Sequence, residues 1–83
     1  MQSNLIPLHQ LPIGSFGIIK KLTAQGNTRR RMLDLGFIYN TTIESLRKSP
    51  AGDPIAYEIR GTVIALRNEE TSNILVETIS KQE

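Results

Sequence analysis

The sequence predicts a mainly β domain: five short antiparallel strands rolled into a small barrel, accompanied by two short helices. Three observations carry that prediction. Brief runs rich in Ile, Val, Leu and Tyr recur between clusters of Gly, Pro and Asn, the punctuation of strands joined by tight turns. Neither helical stretch is long enough to cover a sheet face, which argues against a layered α/β sandwich. The chain has 83 residues, room for one domain spanning 1–83, and a small antiparallel sheet avoids exposed edges by closing on itself.

The elements follow in order. In "LPIGSFG", Pro12, Gly14 and Gly17 mark a turn that leads into a strand from Phe16 to Leu22, with Ile18 and Leu22 on one face and Ile19 on the other. Asn27 is placed as the N-cap of a helix over Thr28–Leu35, with Met32 and Leu35 on its buried stripe and Leu33 beside them. Gly36 falls where a left-handed residue ends a helix, and Phe37 just beyond it is positioned to pack back on Met32. Asn40 tolerates the positive φ of the next turn.

Thr42–Lys48 reads as the second strand and "SPAGDP" as a loop. "IAYEIR" alternates cleanly, with Ile55, Tyr57 and Ile59 on one face and Ala56, Glu58 and Arg60 on the other. Gly61 allows a bend or bulge before "TVIALR", where Ile64 and Leu66 point inward. Asn68 is the expected N-cap of the second helix, with Glu69 and Glu70 in the first turn, where negative charge is favoured. The last strand runs from Leu75 to Ile79, giving a core over about 5–79, and "SKQE" at 80–83 is expected to fray.

Composition excludes several functions. There is no cysteine and one histidine, His9, so a structural zinc site lacks its ligands; the adjacent Glu69 and Glu70 are better explained by the helix start than by a cation. No Cys–His pair, nucleophile elbow or P-loop is present, and no catalytic residue is assigned. No segment approaches the roughly 20 apolar residues of a membrane span, and "MQSNLIPLHQLP" has neither a basic flank nor a long apolar run, so the expected site of action is the cytoplasm.

Charge is uneven. Between Lys20 and Lys48 there are seven basic residues against two acidic ones, and the remainder has three against six. A basic half attracts an acidic partner. Nucleic acid is the alternative, but small barrels that bind it use basic grooves with aromatic platforms. With Phe16 and Phe37 assigned to the interior, only Tyr39 and Tyr57 remain for stacking, in separate parts of the chain.

"RRRMLDLGF", followed by "SPAGDPIAYEIRGTVIALRNEETSNILVE", resembles the FeoA family of ferrous iron transport proteins. The matching pieces are Arg30 to Gly36 at the helix stop, Gly52 to Pro54 in the loop, Arg60 with Gly61, and Ala65 to Arg67 before the acidic helix start. Each is short, and their order and spacing make them specific. Where the family often has Pro-Gly after the helix stop, this chain has Tyr39-Asn40.

The resemblance implies a five-stranded SH3-like barrel and a non-enzymatic, cytoplasmic helper of the FeoB membrane iron transporter. It implies action by protein contact, with no cofactor and no metal held by its own residues. A related domain ends some iron-dependent repressors, which makes an SH3-like nucleic-acid-binding or metal-regulator module the alternative reading.

The arginine run fits docking. Three cations in a first turn each oppose the helix dipole by about 0.3–1 kcal/mol unless their long side chains swing outward. One turn further on, Asp34 is spaced to pair with Arg30. The candidate contact set is Arg29, Arg30 and Arg31, with Tyr39 and Arg67, set against an acidic or polar face of the transporter's cytosolic part. Arg30 is the member that matches the family motif.

Overall fold

The computed structural model describes residues 4–79, so the expectation of a frayed 80–83 lies outside the described residues. Six strands, rather than five, form one antiparallel sheet. They are β1 (Leu5–Pro7), β2 (Phe16–Leu22), β3 (Thr42–Lys48), β4 (Ile55–Ile59), β5 (Thr62–Leu66) and β6 (Ile74–Ile79), in the order β1-β6-β2-β3-β4-β5. The helices are α1 (Gly26–Asp34) and α2 (Asn68–Thr71), and a 3₁₀ turn occupies Leu8–Gln10.

The extra strand is the short amino-terminal one, whose register pairs Leu5 with Glu77 and Pro7 with Leu75. Proline is tolerated there because an edge strand does not need every N–H in a ladder. The sheet is also open, which corrects the closed barrel. Among the described residues, β1 and β5 form its two edges and do not pair. Side chains bridge this region instead: His9 of the 3₁₀ turn lies against α2, its Nδ1 3.1 Å from Thr71 Oγ1. Register shifts at Ile19/Lys21 and Ser45/Arg47 mark bulges that bend β2 and β3.

One face of the sheet carries the core. Ile55, Tyr57 and Ile59 of β4 are buried, as their alternation predicts, with Leu66 of β5 and Ile74 and Val76 of β6 beside them. In β2 the buried positions are Gly17 and Ile19, while Ile18 and Leu22 are only half-buried. Leu8 and Leu11 close one end of the core, and Met32 and Phe37 bring α1 onto it.

Local termination of α1 follows the sequence closely. Gly36 has φ 104°, the Gly36 N–H reaches Leu33 O at 3.0 Å, and the Phe37 N–H reaches Met32 O at 3.0 Å. Those two bonds define a Schellman stop. The helix starts differ from expectation. α1 begins at Gly26 behind Gln25 with no side-chain cap, and α2 begins behind Arg67, so Asn68 is its first helical residue. An N-cap side chain is unnecessary in α2, because Asp53 Oδ1 accepts the Asn68 N–H at 3.0 Å from across the fold.

Arg60 also leaves its assigned strand face. Arg60 (φ 53°) and Gly61 (φ 83°) are the central residues of a turn that closes Ile59 on Thr62. Positive φ at both positions is what a two-residue hairpin of type I′ requires.

Candidate functional site

Consecutive residues on a helix lie about 100° apart, so an unbroken run of three arginines cannot form one patch. With Met32 and Leu35 turned to the core, the three guanidinium groups leave α1 in three directions. Arg29 projects toward β2, where its Nη1 donates to Leu22 O at 3.2 Å. Arg30 points to solvent, and no ion pair within 4 Å joins it to Asp34, so that expected pair is not made. Arg31 turns the other way and pairs with the Glu70 carboxylate of α2.

On the Arg29 side, α1, β2 and the turn after Phe37 enclose a groove of about 390 Å³. Ile19 and Leu22 of β2 form its floor, with Leu33 on one wall and Ile38 and Tyr39 on the other. Leu33 is 39% exposed, Ile38 42% and Tyr39 65%, a contiguous apolar surface that the described residues leave uncovered. Its rim is cationic, formed by Lys20, Lys21 and Arg29. Arg29, Arg30 and Leu33 continue into an adjoining depression that also contains Asp34.

The Tyr39–Asn40 turn sets the far wall. Asn40 has φ 71°, and its N–H donates to Ile19 O at 2.6 Å, pinning the turn to β2. Lys20 Nζ donates to Asn40 Oδ1 at 2.9 Å, lies 3.9 Å from Glu77 Oε1, and sits 5.3 Å from the centre of the Tyr39 ring. A cation at that distance is attracted to the ring face and helps orient it. Asn40 thus supplies the left-handed conformation for which Pro-Gly turns use glycine.

The predicted contact residues therefore divide. Arg29 and Tyr39 meet at the groove, and Arg30 stands at its outer margin. Arg31 and Arg67 belong to the opposite flank, around Glu70. That carboxylate accepts from Arg31, which is the main reason it titrates below the ordinary carboxylate range, and it also accepts the Arg67 N–H at 3.1 Å. Leu33, Ile38, Lys20 and Lys21 complete the groove and were not singled out from sequence. The one available signal was Leu33, an apolar residue displaced by about 100° from the Met32 stripe.

A second polar cluster lies behind β4. Tyr57 is fully buried, which removes it as a stacking platform. Burial pushes its hydroxyl up to about 12, with the Thr71 hydroxyl opposing the shift and the Asp53 charge adding to it. Thr71 also receives His9, so that histidine serves packing. Among the described residues, no three His, Cys, Asp or Glu side chains gather to hold a metal ion, and no helix is long and apolar enough to cross a membrane.

An antiparallel sheet of short strands bent by bulges, a helix laid across its core and an open groove beside that helix define a small SH3-like β domain. The FeoA domain model matches residues 6–78, and the chain belongs to the FeoA family. A Porphyromonas gingivalis protein described as an Fe(2+) transport protein A/Fe(2+) transporter FeoB fusion protein is 34% identical over 73 residues, which are 88% of this chain and 9% of that protein. An FeoA-like protein from Clostridium acetobutylicum superposes with a TM-score of 0.87 at 32% identity, covering 100% of this chain and 95% of the other. FeoA of Stenotrophomonas maltophilia complexed with zinc, described as an SH3 domain protein, superposes with a TM-score of 0.75 at 26% identity, covering 84% and 87%.

Proposed function

We propose that this protein is a cytoplasmic, non-catalytic accessory of ferrous iron transport, acting by contact between the groove of α1 and β2 and the cytosolic part of an FeoB-type transporter. The observation that carries the reading is the fusion relative, in which a domain similar to this one shares a chain with the transporter. Two modules joined in one chain meet at high effective concentration, an arrangement suited to partners that act together. The groove supplies what a docking site needs: aliphatic and aromatic anchors at its centre and cations at its rim.

Within the contact set, Arg29 and Tyr39 act at the groove with Leu33 and Ile38, and Arg30 contacts the partner from the margin. Arg31 contributes by holding α1 to α2 through Glu70, and Arg67 by its place at the start of α2 beside that carboxylate. Binding of the purified cytosolic part of the transporter, followed by calorimetry, tests this. Leu33→Asp and Arg29→Glu should each weaken binding by at least about tenfold while leaving the thermal midpoint near the parent's. Failure of the parent protein to bind, or equal binding by both variants, overturns the reading.

A further inference from the structure

The two edges of the sheet are protected unequally. β1 is three residues long and ends on Pro7, both of which are devices that discourage strand addition. β5, "TVIAL", has five residues with no charge and no proline, and its pairing with β4 shows no bulge. Among the described residues it has a strand neighbour on one side only. Val63 is 56% exposed, and Thr62 and Ala65 are exposed beside it.

The tight turn determines which backbone groups face outward. In a two-residue hairpin the closing pair, here Ile59 and Thr62, exchanges the ladder bonds, and bonding pairs alternate from there. Thr62, Ile64 and Leu66 therefore bond inward to β4, while Val63 and Ala65 present their N–H and C=O groups to the open edge. The row ends where the Arg67 N–H and C=O are taken up by Glu70 and the start of α2.

We infer that β5 is a self-association edge, on which a second copy of this chain pairs antiparallel about a two-fold axis at Ile64. That register sets Val63 against Ala65 of the other copy, twice, and each of these pairs joins outward-facing backbone groups. It also suits the side chains. Ala65 borders a depression of about 320 Å³ formed with Ala56, Pro50 and Pro54 and flanked by Arg47 and Lys48. A valine arriving opposite Ala65 lies beside that depression, so the exposed Val63 of each copy meets the recess of the other. A large residue facing a small one, repeated by the axis, is the self-complementarity that an isologous interface needs. Ile64, half-buried and packed on the core, meets its own counterpart at the axis. The patch is small, so the dimer is weak and depends on concentration.

Sedimentation of the full chain from about 10 µM to 1 mM, a range that spans weak association, tests the proposal together with amide hydrogen exchange. The parent should convert from monomer to dimer across the series. The Val63 and Ala65 amides should gain protection as it does, whereas the Ile64 amide is protected throughout. Val63→Lys should weaken association by at least about tenfold, and Ala65→Pro should remove an outward N–H without touching the β4 ladder. Circular dichroism of both variants should match the parent. A parent that stays monomeric to the top of the series overturns the proposal. So does a dimer that survives Val63→Lys, or one that leaves the Val63 and Ala65 amides unprotected.

Discussion

The two helices begin in opposite ways. α2 opens with Glu69 and Glu70, takes the Arg67 N–H on the Glu70 carboxylate, and has its first helical N–H satisfied by Asp53. α1 opens without an acid in its first turn and without a side-chain cap; because it starts at Gly26, the arginines expected in its first turn lie further along, with Arg31 in its last turn. Four-residue α2 is thus stabilised by groups gathered at its start, whereas α1 depends on its far end and on the core. The contrast separates residues kept for local stability from residues free to serve a surface. It also explains Arg31: its pairing with Glu70 ties the poorly started helix to the well-started one.

Breaking the far end of α1 should have the largest effect. Gly36→Ala forces a side chain into a left-handed position at φ 104° and brings a Cβ to 3.4 Å from Arg60 Cδ. A loss of about 1–2 kcal/mol is expected, read from urea denaturation midpoints at constant slope.

The link between the helices is worth less, because both partners are partly exposed. Glu70→Gln should cost about 0.2–1 kcal/mol, and its signature is the pH dependence. Glu70 titrates lower in the folded protein than in the unfolded chain. Its contribution is therefore fully present above the unfolded carboxylate value of about 4.3 and disappears as pH falls through the lower folded value. Melting curves of parent and variant should converge below that range and separate above it; a constant offset would remove the ion pair as the cause.

Arg30 marks the free end of the comparison. Among the described residues it makes no ion pair, and it is exposed, so Arg30→Ala should shift stability by less than about 0.5 kcal/mol. The same substitution should weaken transporter binding measurably, and a variant that binds like the parent would leave Arg30 as a solvated charge only.

Particular residues show how far the sequence could be read. The Schellman stop at Gly36 and Phe37 was readable because its bonds span a handful of consecutive residues. The buried face of β4 was readable because alternation along one strand predicts its own exposure. β1 was not, since a three-residue segment ending in proline gains its identity from a ladder to β6, at the other end of the chain. The separate directions of Arg29, Arg30 and Arg31 were not readable, since packing of Met32 on the core sets the rotation of α1 and sends them to different neighbours.

What the amino-acid order determined by itself is what short-range sterics and hydrogen bonding control: the approximate locations of β2 to β6 and of the two helices, the glycine stop, and the positive-φ turn at Asn40. The open edges, the groove beside α1, and the division of the cations between a partner-facing side and an internal ion pair were decided by tertiary structure. Each depends on the free energy of bringing distant segments together, which no local pattern encodes.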